Sequence, residues 1–138
     1  MGLIRFYERE EKMERECIKL KTIEGVFSVC KVEDYTGINL DRDFMFLGST
    51  DEEKSLVCPT SAVPPGVLER NDGWKVFRIE GILDFSLVGI LAGISSCLAE
   101  NGIGIFAIST YNTDYVFVKE KDFDKAVEVL ASERYAFV

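Results

Sequence analysis

Two polar stretches of this sequence carry side chains suited to hold a small charged molecule. Asp84 and Ser86 stand just before an apolar segment with helical spacing, and Asp114 closes a polar segment between two apolar runs. A carboxylate pairs well with an ammonium group, whereas the N–H groups at a helix N-terminus suit a carboxylate. Asp114 or Asp84 could therefore pair with an ammonium group, and the start of the helix could hold an anion.

The same residues also have ordinary structural roles. An Asp before a helix commonly caps it, and an Asp beside a strand commonly stabilises a turn. Ser109 and Thr110 suit the end of a strand, and Tyr111 could either stack on a ligand or close the turn. The residue types alone leave both interpretations open.

Catalysis has little support in the sequence. The chain has no histidine to transfer protons near neutrality, and no nucleophile stands beside an evident activating base. It also lacks a glycine-rich phosphate-binding loop. Asp84 and Asp114 could in principle serve as acid and base, but we expect a protein without catalytic activity and without a cofactor.

The four cysteines are widely spaced along the chain, at Cys17, Cys30, Cys58 and Cys97. Without histidine and without closely paired cysteines, no zinc site is predicted. Cys30, Cys58 and Cys97 lie in apolar runs, which favours buried, reduced thiols over redox or metal chemistry. A reducing, cytoplasmic location is expected.

The composition is that of a folded acidic protein. Of the 138 residues, 47% are hydrophobic, enough to bury a core in one domain or in two small subdomains. The formal net charge of -8 disfavours nucleic acid and anionic membranes as partners. No apolar run reaches the roughly 20 residues that span a bilayer, and residues 1–14 are too charged for a signal peptide.

Residues 81–118 hold the strongest pattern. A helix is predicted from apolar residues at helical spacing, with Asp84 or Ser86 available to cap its start and Asn101-Gly102 to end it; its apolar positions are Leu87, Ile90, Leu91, Ile94 and Leu98. Two strands joined by a tight hairpin follow, and both faces of the first strand are apolar. The helices can cover one face, so a second domain or subunit is expected on the other.

The first half of the chain is mostly extended. Residues 1–16 are expected to form a charged extension, followed over 17–32 by two strands or one long bent strand. Further strands are predicted at 44–47 and 55–58, with at most a single helical turn after Pro59.

Asn71-Asp72-Gly73 is predicted to mark a boundary before a strand over 74–80. Towards its end the chain has a helix with Phe123, Ala126 and Leu130 on one stripe, and then a short strand. The order strand, helix, strand, strand, helix, strand is that of α+β ferredoxin-like folds. We therefore predict this fold for 74–138, and a degenerate repeat of its strands over 17–73.

A family resemblance rests on three motifs, GILDFSLVGILA at 81–92, LAENGI at 98–103 and STYNTDY at 109–115. With these motifs, residues 74–128 resemble the ACT domain, and within it the subgroup that contains the arginine-sensing CASTOR proteins. The likeness extends weakly into the first half, so the resemblance implies an ACT domain in tandem with a degenerate N-terminal ACT-like subdomain.

This resemblance implies a regulatory protein that binds an amino acid and transmits its presence to a partner. The implied site places the loop before the central helix opposite the hairpin, with Asp84, Phe85 and Ser86 on one side and Ser109, Thr110, Asn112, Thr113 and Asp114 on the other. Val88 departs from the threonine common in relatives, which could alter ligand choice. A homodimer is expected because continuous sheets across subunits suit this fold, and a purely structural oligomerisation module is the alternative.

Overall fold

A computed structural model describes residues 18–81 and 89–138. The described chain contains seven strands, two α-helices and one 3-10 turn, namely β1 (Ile18–Val32), β2 (Phe46–Ser49), β3 (Lys54–Pro59), the 3-10 turn (Thr60–Ala62), β4 (Glu69–Ile79), α1 (Ile90–Glu100), β5 (Ile105–Ser109), β6 (Asp114–Lys119), α2 (Glu120–Ala131) and β7 (Tyr135–Phe137). The predicted order from β4 to β7 is confirmed, and with it the α+β ferredoxin-like class. No described helix is long and apolar enough to cross a membrane.

The chain divides into two compact units. One, the helix-bearing unit, combines the described residues up to Ile23 with Phe77–Val138, and the other, the strand unit, is Glu24–Val76. Both β1 and β4 contribute residues to each unit. The predicted extension over 1–16 lies outside the described residues.

In the helix-bearing unit the sheet order is β5-β6-β4-β1-β7. The terminal strand β7 runs parallel to β1, with Ile18 opposite Tyr135 and Leu20 opposite Phe137. Hydrogen bonds extend this pairing, from the Ile18 N–H to the Arg134 carbonyl (2.9 Å) and from the Val138 N–H to the Leu20 carbonyl (2.8 Å). β1 therefore lies between β4 and β7.

One face of this sheet packs against both helices. Its buried core consists of apolar residues from strands and helices, namely Leu20, Phe77, Ile79, Ile94, Leu98, Ile103, Val116, Val118, Phe123, Ala126 and Leu130. Burying each large side chain contributes about 1.5–3 kcal/mol. The helical stripe predicted in the second half is confirmed, since Phe123, Ala126 and Leu130 are the buried residues of α2.

The opposite face of the same sheet carries an aromatic pair where β5 lies beside β6, in keeping with the apolar alternation predicted along β5. Phe106 stacks on Phe117 with ring centroids 4.5 Å apart and planes 3° from parallel. Phe117 is fully buried, whereas Phe106 is half-buried.

In the strand unit the order is β2-β3-β1-β4. β1 pairs antiparallel with β3, and β2 pairs antiparallel with β3. A small core gathers Cys30, Val32, Leu56 and Cys58. The predicted burial of Cys30 and Cys58 is confirmed, while Cys97 is half-buried and Cys17 lies outside the described residues.

Two local predictions need correction, and one open alternative is decided. β4 begins at Glu69 and runs through the predicted boundary at 71–73, because pairing with β1 outweighs the local turn preference. The strand predicted at 44–47 begins only at Phe46, since Phe44 has a φ of 62° that no strand residue adopts. Over 17–32 the sequence left open two strands or one long bent strand, and the single strand is confirmed: β1 has 15 residues, and within it Gly25 has a φ of 104°.

Candidate ligand-binding site

The hairpin between β5 and β6 contains five of the residues that the sequence predicts for a binding site. The Thr110 N–H donates to the Thr113 carbonyl (2.8 Å), which also accepts from the Thr110 hydroxyl (3.0 Å). The Thr113 N–H in turn donates to the Thr110 hydroxyl (3.4 Å). These bonds fix the turn, leaving Asn112 exposed and Tyr111 82% exposed at its tip.

Ser109 and Asp114 meet at the base of this hairpin. They pair across β5 and β6, and the Ser109 hydroxyl donates to Asp114 Oδ1 over 2.5 Å. Because side chains alternate along a strand, Asp114 shares a face with Val116 and Val118, which pack against the helices. The Asp114 carboxylate therefore lies on the helix-bearing face of the sheet.

Thr113 fixes the hairpin to the neighbouring strand. Its side chain is buried, and its hydroxyl donates to the Ile79 carbonyl over 2.7 Å. Ile79 is the last residue of β4, from which the chain continues towards α1. The hairpin is thus held at the end of the strand that precedes the helix.

Helix α1 begins at Ile90, with Gly89 as its N-cap at a φ of 92° and no side-chain capping bond. Its predicted end is confirmed, because the Asn101 and Gly102 N–H groups bond to carbonyls of the last turn and Gly102 has a φ of 71°. Asp84, Phe85 and Ser86, predicted to cap the helix or to contact a ligand, lie outside the described residues, as does Val88.

Arg78, the basic residue next to Ile79 on β4, forms its bonds on the face of the sheet away from the helices. Its guanidinium donates to Glu80 (3.1 Å) and to the Tyr115 hydroxyl (3.4 Å). These bonds raise the pKa of Arg78, and the bond to Tyr115 has the larger effect. Among the described residues, no basic side chain forms an ion pair with Asp114.

The described residues hold no cluster of acidic or cysteine side chains able to bind a metal ion. The hairpin supplies hydroxyl groups and one carboxylate, a donor and acceptor set suited to an ammonium group or another small polar cation.

Two features of the structure were not predicted from the sequence. The Ile79 carbonyl is a backbone acceptor, so no side-chain pattern could have indicated its role. The strand unit also contains a cavity beside Arg42 and Phe44, where the sequence indicated only the end of a polar connection and the start of a strand.

Comparison with known proteins gives related sequences and folds. Residues 69–132 match the ACT domain. The structure of protein Atu0741 from Agrobacterium tumefaciens is 30% identical with a TM-score of 0.80, over 88% of this chain and 92% of that chain.

Two more distant structures share the fold alone. The protein of unknown function VC0802 from Vibrio cholerae, described as a possible transport protein, is 19% identical (TM-score 0.71, 91% of this chain and 96% of that chain). The ligand-free regulatory subunit of aspartate kinase from Thermus thermophilus is 12% identical (TM-score 0.57, 83% and 95%). No curated protein matches the sequence.

Proposed function

This chain contains an ACT domain and belongs to the same family as Atu0741, and from that premise we propose that it is a non-catalytic regulatory protein that senses an amino acid. The ligand site is the 109–114 hairpin together with the segment that precedes α1. The Asp114 carboxylate at the base of the hairpin carries this proposal.

Asp114 has the properties that an ammonium ligand needs. One of its oxygens is held by the Ser109 hydroxyl, which fixes the carboxylate without neutralising its charge. The side chain is half-buried, so a bound ammonium group would be shielded in part from water. A ligand cation would supply the opposite charge that the described residues do not.

The other end of the amino acid needs hydrogen-bond donors. Thr113 holds the hairpin beside the end of β4, and α1 begins eleven residues after Ile79. We place the ligand carboxylate at the 84–86 segment and the start of α1, with Asp84, Phe85 and Ser86 completing the site. Backbone N–H groups at a helix N-terminus suit an anion.

The regulatory mode follows the resemblance to the CASTOR subgroup. We propose that 17–73 acts as a degenerate ACT-like subdomain beside the ACT domain of 74–138, and that the protein works as a cytoplasmic homodimer. The free thiols of Cys30, Cys58 and Cys97 support a reducing location. Ligand binding would then change the affinity of this protein for a regulated partner.

Thermal unfolding with each of the 20 standard amino acids, followed by calorimetric titration of those that raise the Tm, tests the proposal. One or a few amino acids should stabilise the folded state by mass action. Asp114→Asn should weaken their binding at least about tenfold, because a charge-assisted hydrogen bond contributes about 1.5–3 kcal/mol. Asp124→Asn is the matched control, since Asp124 is an exposed residue of α2.

Two results would contradict the sensing proposal. If no amino acid changes the Tm, the chain is better described as a structural oligomerisation module, which sedimentation should then show as a ligand-independent dimer. If Asp114→Asn binds as tightly as the wild type, the site lies elsewhere.

A further inference from the structure

The strand unit contains a cavity of about 610 Å³ that no prediction from the sequence anticipated. Its volume falls in the range of about 300–1,000 Å³ that is usual for small-molecule sites. Val26, Phe44 and Pro59 give it an apolar surface, and all three are half-buried. The cavity belongs wholly to Glu24–Val76 and shares no residue with the 109–114 hairpin.

Charged groups of both signs line the same cavity. Glu24 and Asp43 contribute carboxylates, and Arg42 contributes a guanidinium. Arg42 Nη2 donates to the Ser61 hydroxyl over 2.7 Å, which directs the guanidinium along the cavity wall. Within 18–81 and 89–138, none of these three charges forms an ion pair, so each is available to a ligand.

A buried network sets the hydrogen-bonding character of Thr60, another wall residue. The Ser28 hydroxyl, fully buried, donates to Asp72 Oδ1 over 2.6 Å and lies 2.8 Å from Thr60 Oγ1. Because a serine hydroxyl has one hydrogen, which Asp72 accepts, Thr60 must donate to Ser28. The Thr60 oxygen is then left as an acceptor, a third one beside Glu24 and Asp43.

Backbone strain is located at the same place. Phe44 is the only non-glycine residue with positive φ in the described chain, at 62°. Such a conformation costs about 1–3 kcal/mol for a bulky residue and is concentrated at ligand-binding sites. Here it places Phe44 on the cavity wall and at 6.3 Å, ring centroid to centroid, from the buried Phe27 in an edge-to-face arrangement.

We propose that this cavity is a second site, which binds an α-amino acid with an apolar side chain. Glu24, Asp43 and the Thr60 oxygen accept from its ammonium group, and the Arg42 guanidinium donates to its carboxylate. The apolar surface contacts the side chain. The proposal does not rest on the function assigned to the hairpin, because its residues and its ligand contacts are separate.

Titration of the 15N-labelled protein with L-leucine, followed by NMR, tests this site residue by residue. Leucine should shift the amide signals of Gly25 and Ser61. Arg42→Ala should weaken this binding at least about tenfold, corresponding to one lost charge-assisted bond. Lys31→Ala is the matched control, because Lys31 is an exposed cation of the same unit and its substitution removes the same charge.

Two analogues of leucine test the contacts of its carboxylate and of its ammonium group separately. L-leucinamide lacks the carboxylate and N-acetyl-L-leucine lacks the ammonium group, so each should bind at least about tenfold more weakly than leucine. Equal binding of leucine and either analogue would overturn the assignment of that end. Unchanged binding by Arg42→Ala would overturn the site.

The Asp114→Asn variant distinguishes binding at this cavity from binding at the 109–114 hairpin. This variant should keep the shifts of Gly25 and Ser61, since Asp114 is not part of the cavity. If leucine shifts only the amides of 109–114, or shifts none, the second site is wrong. The first of these results would leave the hairpin proposal standing.

Discussion

The hydroxyl of Thr113 donates a 2.7 Å hydrogen bond to the carbonyl oxygen of Ile79, 34 residues earlier in the chain. Both residues are buried, so water cannot readily replace either partner. This bond connects the turn between β5 and β6 to the end of β4. The position of the proposed ligand site therefore depends on one side chain as well as on strand pairing.

We expect Thr113→Val to lower the free energy of unfolding by about 1–3 kcal/mol, because it leaves a buried carbonyl without its donor. Thr113→Ser keeps the hydroxyl and should retain most of the stability. Urea unfolding of both variants measures the difference. Equal stability of the valine and serine variants would show that the bond contributes nothing.

Gly93 of α1 faces Tyr135 of β7, and a Cβ atom at Gly93 would lie 3.0 Å from the tyrosine hydroxyl oxygen. Alanine is favoured over glycine inside a helix by about 0.5–1 kcal/mol, but here crowding opposes that gain. We expect Gly93→Ala to stabilise the protein more in a Tyr135→Phe background than in the wild type. A double-mutant cycle in urea measures the coupling, and the same effect in both backgrounds would contradict the crowding.

Phe44 adopts a left-handed backbone conformation that glycine accepts without strain. Phe44→Gly and Phe44→Ala both remove the ring that contacts Phe27, so both should destabilise the protein. We expect the alanine variant to be the less stable by about 1 kcal/mol, the reverse of the usual order. Urea unfolding compares them, and a more stable alanine variant would mean that the backbone changes conformation in solution.

Burial is the main cause, and the nearby Cys30 a smaller one, that raises the pKa of the Cys58 thiol from 9.0 to about 11. Below pH 9 both the folded and the unfolded states keep this proton. Between pH 9 and 11 the unfolded state loses it first, so the free energy of unfolding should fall as the pH rises.

Cys58→Ala removes this contribution. Although the variant is less stable at pH 7 because of the cavity it creates, its stability should fall less steeply than that of the wild type between pH 9 and 10.5. Urea unfolding across this interval tests the difference in slope. Parallel curves would show that Cys58 does not titrate differently in the two states.

Local patterns were sufficient to predict several elements. The stripe containing Phe123, Ala126 and Leu130 predicted α2, and Asn101-Gly102 predicted the end of α1, because side-chain periodicity and left-handed glycine are properties of the sequence itself.

Other features depend on contacts between distant residues. The start of β4 was predicted too late because its pairing with β1 is not encoded locally; the bond from the N–H of Leu68, just before β4, to the Lys31 carbonyl continues that pairing. Nothing in the local sequence around Phe44 indicates a positive φ. The cavity combines residues from three separate segments, so neither its existence nor its charge pattern could be predicted from the sequence.

The parallel pairing of β7 with β1 also bears on the order of folding during synthesis. Ile18 and Tyr135 are opposite each other although they are 117 positions apart in the sequence, which gives this sheet a high contact order and favours slow folding. The strand unit consists of consecutive residues, whereas the helix-bearing unit needs residues 135–137 to have left the ribosome. Translation thus exposes the free edge of β1 to wrong partners until the last strand arrives.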